Sequence, residues 1–418
     1  MADNLETMLS VDAALDRVLA AFTRLPAERI SIRDGLGRVL AEPVSAQHDL
    51  PPFANSSMDG YAVRAADVAS AAEGAPVTLA VVGDIPAGGM PAFMVGAGQA
   101  ARIMTGAPMP DGADAVVPVE RTAGGAHSGR LIGAAPDRIA IVKGTPPGSY
   151  VRLPGEDVKT GQEVLAAGRV LRAADLGVLA GLGVPIIPVI RRPRVAIIST
   201  GDELLNADQP LTSGKIRDTN GYTLYALVQE LGAQPAFLGI ARDTADDFND
   251  RLSMARRWEA DLILSSAGVS VGAYDMVKSV VGAAGALNFW KVNLRPGKPL
   301  AFGHVFQIPF VGLPGNPVSA MVTFDVFVRP AILKMMGKPP TTHLVEAETG
   351  EPIVSDGRQS YLRVTLTRQG ERLIAHTTGN QSSGVLTSLV NADGLLIVPA
   401  GTTNVPAGTR LSVRVYGY

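Results

Sequence analysis

Val195-Ala196-Ile197-Ile198-Ser199-Thr200-Gly201-Asp202-Glu203 is the stretch on which the reading of this chain turns. A short apolar, β-branched run that stops at Gly-Asp-Glu is the pattern of a buried strand feeding a loop. Downstream, the same texture recurs with helical stretches between. The spacing predicts a helix over 220–231, a strand over 236–241 (AFLGIA), a helix over 245–258, a strand over 261–266 (DLILSS) and a helix near 274–281. Strands over 289–294, 300–305 and 309–313 precede a last helix over 317–336. Asn316 is expected to cap that helix, with Pro317 in the first position, where a missing N–H costs nothing. Strands alternating with helices predict an α/β fold around a doubly wound, mainly parallel sheet.

In such a sheet, ligands bind beyond the carboxyl ends of the strands. The residues following each strand are Gly201-Asp202-Glu203, Arg242-Asp243, Gly268-Val269-Ser270-Val271-Gly272 with Asp275, Arg295-Pro296-Gly297-Lys298-Pro299, and Pro314-Gly315-Asn316-Pro317. Glycine-rich loops ahead of helices let backbone N–H groups approach phosphate oxygens. Carboxylates from several strand ends suit a hard cation such as Mg²⁺, and Lys291, Arg295 and Lys298 suit an oxyanion. Taken singly, Asp202 and Glu203 read as a solvated turn, Asp243 as a helix cap and Lys291 as an exposed strand residue. Their convergence on successive strand ends carries the expectation of a phosphate-bearing anionic ligand beside a metal. Gly268–Gly272 also fits a nucleophile-elbow pattern, but no histidine is placed to complete a triad.

Working outward, Ser10 caps a helix whose apolar residues Val11, Ala14, Leu15, Val18, Leu19 and Phe22 follow helical spacing. Short β-branched runs broken by Gly and Pro predict a β-rich domain over 49–150. Within 151–190 helical periodicity returns around Arg172–Gly183 (RAADLGVLAGLG), a segment expected to pack back on the first helix, so 1–48 with 151–190 reads as a helical stalk. The α/β domain covers 191–336, and period-two alternation over 337–418 predicts a β-barrel or sandwich. A chain of 418 residues needs several cores. With 37 basic against 39 acidic residues there is no basic footprint for nucleic acid. No apolar run is long enough to span a membrane and the first residues do not read as a signal peptide, which together predict a cytoplasmic protein. The absence of cysteine excludes disulfides, thiolate zinc sites and a cysteine nucleophile.

These residues are similar to the molybdopterin molybdenumtransferase family, that of bacterial MoeA and the animal gephyrin E-domain. The resemblance runs from about residue 8 to the C-terminus. It rests on Asn55–Ala62 (NSSMDGYA), Arg102–Ala107 (RIMTGA), Pro154-Gly155-Glu156-Asp157 with Gly161, Ser199–Leu204, Asp218-Thr219-Asn220, the three loops after residues 267, 294 and 313, and Val318-Ser319. It implies a stalk, a β-rich domain, an α/β molybdopterin-binding domain and a C-terminal barrel. It implies a homodimer with each site shared between subunits. The implied reaction inserts molybdenum from molybdate into molybdopterin-AMP with Mg²⁺, releasing AMP and molybdenum cofactor. Molybdopterin adenylyltransferase and molybdoenzyme-maturation proteins are the implied partners.

Carried over by motif, the catalytic positions are Asp59, Thr105, Asp157, Glu203, Asp243, Asp275, Lys291 and Arg295. Gly201, Ser270, Gly272, Lys298, Gly315, Asn316, Arg363 and Ser383 would bind substrate, and Glu203, Asp243 and Asp275 would hold the metal. Ala267 stands where many relatives have glycine, and Arg295 where some have lysine. An adenylyltransferase working through the α/β domain alone, and a non-enzymatic scaffold, are the competing readings.

Overall fold

The computed structural model describes residues 8–123, 133–267, 285–340 and 342–416. The chain divides into two compact units. One comprises Met1–Arg29, Gly37–Ala41 and Pro188–Tyr418, the other Ile30–Leu36 and Glu42–Ile187.

The first unit is built on the predicted strand–helix alternation. It contains α1 (Val11–Ala20), β1 (Arg194–Thr200), α2 (Asn220–Glu230), β2 (Gln234–Ala241), α3 (Ala245–Arg257), β3 (Leu262–Ser266), β4 (Gly285–Lys291), β5 (Pro299–Val305), β6 (Ile308–Leu313), α4 (Pro317–Thr323) and α5 (Arg329–Met335). The sheet order is β2-β1-β3-β6-β5-β4. Neighbours from β2 to β6 run parallel, and β5 and β4 are added antiparallel. The chain leaves β1 toward β2 and returns to β3 on the other side, which creates a switch point at the carboxyl ends of β1 and β3. Both faces are covered: Val195, Ile197, Leu262 and Leu264 belong to one apolar cluster, Ala196, Ile198, Ile263 and Phe310 to the other. That double burial is why these strands read as near-continuous apolar runs.

Two expectations are corrected here. The final helix is not continuous over 317–336: a π-helical turn, Phe324–Val328, separates α4 from α5. Pro330 has no N–H to give to the carbonyl four residues back, and the helix widens where that bond is lost. The stripe of α1 (Val11, Ala14, Val18, with Phe22) lies in the cluster containing Phe324, Val328 and Ile332, so its apolar face is already spent within this unit. Within 151–190 the helix falls where the periodicity lies, at Ala173–Gly181, and its Val178 packs with Ala46, Val158 and Leu182 in the second unit. The helix expected near 274–281 lies outside the described residues.

The C-terminal strands are β7 (Leu344–Thr349), β8 (Gln359–Gln369), β9 (Arg372–Thr377), β10 (Gly394–Val398) and β11 (Arg410–Val415). They pair β8-β9-β7-β11-β10, and β10 pairs back on β8, so the choice between barrel and sandwich falls to a closed barrel. Closure leaves no free edge, and Leu362, Val364, Ala375, Leu396 and Val413 fill the inside. The segment Leu294–Arg295 pairs parallel with the start of β8.

In the second unit, strands Ala115–Pro118, Gly60–Val63, Gln99–Ile103, Val77–Ile85 and Arg138–Ile141 form a sheet in that order. Tyr61 and Val63 face one cluster and Ala62 the other, as period-two alternation requires. Among the described residues no helix is long and apolar enough to cross a membrane.

Asp218 ties the start of α2 to the sheet. Its buried carboxylate accepts from Ser199 Oγ at 2.6 Å and from the Gly221 N–H at 3.0 Å. Asp218→Ala strands two buried donors, so the unit should lose about 3 kcal/mol. Urea unfolding followed by fluorescence reads this unit alone, because Trp258 and Trp290 both lie in it. A loss below about 1 kcal/mol would show the carboxylate to be dispensable.

Candidate functional site

Strand register places nearly all the predicted loops of the first unit on one rim. Thr200 aligns with Ala241, Ser199 with Ser266, Ser266 with Leu313 and Lys291 with Pro299. Read along the sheet, the rim carries Asp243, Glu203, Ala267, Gly315, Lys298 and Lys291. With strands about 4.8 Å apart, this row spans roughly 24 Å, acidic at one end and basic at the other.

At the acidic end, Gly201 has φ +144°, and a Cβ there would lie 2.5 Å from Glu203 Oε2. Only glycine lets the Glu203 side chain fold back over this turn. Glu203 and Asp243 are both exposed. The Asp243 N–H donates to Asp202 Oδ1 at 3.3 Å, joining the two strand-end loops. Asp243 does not cap α3; Thr244 does, its Oγ1 accepting from the Asp247 N–H. That leaves the Asp243 carboxylate without a capping duty. Lys215 Nζ donates to the Asp202 carbonyl at 2.5 Å, a neighbour that sequence reasoning missed.

In the middle, Asn220 Nδ2 donates to Ser266 Oγ at 2.7 Å and to the Gly315 carbonyl at 2.8 Å, clamping the ends of β3 and β6 together. Ala267 sits at φ +68°, a conformation glycine adopts more easily, so the substitution noted in the sequence falls on a strained position. Ser270, Gly272 and Asp275 lie outside the described residues.

At the basic end is a cavity of about 500 Å³ lined by Arg295, Lys298, Gly315, Asn316, Arg363 and Ser383, six of the predicted residues, together with Ser319, Arg358, Gln381 and Ser382. Gly297, at φ +110°, keeps its wall tight: a Cβ there would meet Thr323 Oγ1 at 2.4 Å. Asn316 makes no side-chain cap bond to α4, contrary to expectation. The Ser383 carbonyl instead accepts from the Val318 N–H at 3.1 Å. Lys291, at the end of β4, is exposed and does not line this cavity.

Arg363 is fully buried. Its Nε donates to Ser388 Oγ at 3.0 Å and its Nη2 to the carbonyls of Ser382 and Asn380 at 3.1 and 3.4 Å. Among the described residues no carboxylate pairs with it. Burial holds its pKa below the ordinary guanidinium range, and the charge of Arg295 acts the same way. A cation kept dry with only neutral acceptors around it favours an anion at its side. Arg358 was missed because it belongs to none of the motifs that carried the resemblance; it lies just before β8, outside the strand's alternation.

In the second unit, Asp59 Oδ1 accepts from both the N–H and the Oγ1 of Thr105 at 2.7 Å, so two predicted residues form one element. Asp157 lines a separate cavity of about 470 Å³ with Asn55, Arg152 and Glu156.

A switch-point sheet whose rim carries carboxylates at one end and a cationic cavity, walled partly by the β-barrel, at the other is an arrangement suited to an anion. Residues 9–183 match the MoeA N-terminal region (domain I and II), 196–334 the probable molybdopterin binding domain and 346–416 the MoeA C-terminal region (domain IV). The chain is 41% identical over 381 residues to the molybdopterin molybdenumtransferase of Nostoc sp., covering 89% of this chain and 85% of that protein. It is 40% identical over 395 residues to molybdopterin molybdenumtransferase 2 of Mycobacterium tuberculosis, covering 92% and 94%. A crystal structure of the molybdopterin biosynthesis MoeA protein from Pyrococcus horikoshii superposes with TM-score 0.82 at 31% identity, covering 99% of this chain and all of that one. The chain belongs to the molybdopterin molybdenumtransferase family, and it is a transferase.

Proposed function

We propose that this transferase acts in molybdenum cofactor biosynthesis, inserting molybdenum from molybdate into molybdopterin-AMP and releasing AMP. The observation that supports the reading most directly is Arg363, buried and without a carboxylate in the wall of a cavity that also presents Arg295, Lys298 and Ser383. In this reading those side chains hold the molybdate oxyanion through charge-assisted hydrogen bonds. Gly315 and Asn316 present backbone and amide donors on the same wall, and Lys291 adds positive charge at the far edge of the rim. Asp59 accepts the Thr105 hydroxyl and so fixes Thr105 Oγ1, whose lone pairs are left to meet substrate.

Mg²⁺ belongs at the acidic end. Exposed carboxylates of Glu203 and Asp243 on joined loops are the hard oxygen donors this ion takes, and two suffice when substrate phosphates supply the rest. Among the described residues no three metal-ligand side chains gather at one point, so a third carboxylate, from Asp275, belongs to the proposal alone. When bound, Mg²⁺ polarises the phosphate linkage that is cleaved.

Incubating the full chain with molybdopterin-AMP, molybdate and Mg²⁺ should release AMP in step with molybdenum incorporation. ATP consumption without molybdenum transfer would overturn the proposal in favour of an adenylyltransferase. We also infer a cytoplasmic homodimer in which Asp59, Thr105 and Asp157 complete the site of the second subunit. Refolding an inactive Asp59→Ala variant with an inactive Glu203→Ala variant should restore about a quarter of wild-type turnover, since half the dimers then carry one intact site. No recovery would count against shared sites.

A further inference from the structure

The cavity cations are not equivalent. Arg363 has no carboxylate partner among the described residues, whereas Arg295 and Arg358 share one. Asp356 Oδ2 accepts from Arg358 Nη2 at 2.6 Å and from Nε at 3.1 Å, and lies 3.7 Å from Arg295 Nη1. Asp356 Oδ1 also accepts the Arg358 N–H at 3.1 Å, so the carboxylate is fixed in its turn. Arg358 Nη1 donates to the Leu294 carbonyl at 3.2 Å, which anchors the guanidinium on the segment that carries Arg295. Both arginines line the cavity; Asp356 does not.

We propose that Asp356 is an internal counter-ion held between Arg358 and Arg295 at the cavity wall, and that Arg358 is a further oxyanion-binding residue which exchanges this carboxylate for an incoming tetrahedral dianion. The proposal rests on the reading of this cavity as the oxyanion site. Asp356 has a side chain 40% exposed, and ion pairs at such positions hold little net free energy. The exchange is therefore cheap, unlike the breaking of a buried pair. With no anion bound, the carboxylate keeps two like charges from repelling each other out of position. With a dianion bound, Arg358 and Arg295 turn their donors to it, joining Arg363 and Lys298. Asp356 thus sets how much net positive charge the cavity offers, and so sets affinity at a given ionic strength.

A mere structural clip and an internal counter-ion predict opposite signs. Asp356→Asn should tighten binding of sodium molybdate about fivefold, the effect of removing one nearby negative charge from a partly screened site. The salt dependence of binding should steepen as well. Asp356→Ser, which removes the same charge without an amide, should tighten it to a similar extent. Arg358→Met should weaken binding about tenfold. Isothermal titration of the full-length protein with molybdate, and in parallel with sulfate, at two salt concentrations reads all of this. Weaker or unchanged molybdate binding in both Asp356 variants, with Arg363→Met still impaired, overturns the counter-ion role and leaves the cavity assignment standing. Wild-type affinity in Arg363→Met instead shows that the cavity is not the oxyanion site, and the proposal falls with it.

Discussion

Arg363→Met should lower kcat/KM for molybdenum insertion by on the order of a thousandfold, with the melting temperature nearly unchanged. The activity loss follows from removing a desolvated cation whose hydrogen bonds to an anion are worth several kcal/mol in a dry wall. The stability side has the opposite logic. Methionine fills similar volume without a charge, and since no carboxylate among the described residues pairs with Arg363, its removal leaves no uncompensated buried charge behind. The groups left behind have recourse: Ser388 Oγ still donates to the Val385 carbonyl at 2.6 Å, and the Ser382 carbonyl belongs to a residue at the cavity surface. Arg363→Lys keeps the charge but loses the planar fork, so its activity should fall between the two. Steady-state kinetics with a thermal melt of each variant test the pair of expectations. Unfolding of Arg363→Met alongside the activity loss would move this residue from substrate binding to structure.

Glu203→Ala should cost on the order of a hundredfold or more in turnover, with the largest deficit at low Mg²⁺. Glu203 is exposed, so truncation leaves no buried orphan and the fold should be retained. Gly201→Ala offers an independent route to the same defect. The added Cβ would stand 2.5 Å from Glu203 Oε2 at a backbone angle of +144°, forcing the carboxylate away without deleting it. Both variants should shift the Mg²⁺ titration of AMP release to higher concentration. Wild-type turnover with an unchanged Mg²⁺ midpoint in both would remove Glu203 from the metal assignment.

The α/β core was legible because its strands are buried on both faces. Such strands must be apolar throughout, and Val195–Ile198 and Leu262–Leu264 announce themselves by that texture alone. The barrel was legible as alternation, but its closure was not, since the pairing of β10 on β8 joins residues thirty or more apart. The π-helical turn escaped for a related reason: Pro330 warned of a disturbance, but a proline in a helix can be met by a kink, a break or a widened turn, and packing around Phe324 and Phe327 selects among them.

By itself the sequence determined the strand-end loops, the family and the chemical character of each loop, because local composition dictates where a strand stops and what donors follow it. Tertiary structure alone decided which of those loops meet. Register put Glu203 and Asp243 at one end of the rim and Arg295 and Lys298 at the other, and the parallel pairing of Leu294–Arg295 with the start of β8 brought Arg358 and Arg363 into the same wall. Charge pairing across elements, as between Asp356 and Arg295, depends on distances in space that residue spacing along a chain does not encode.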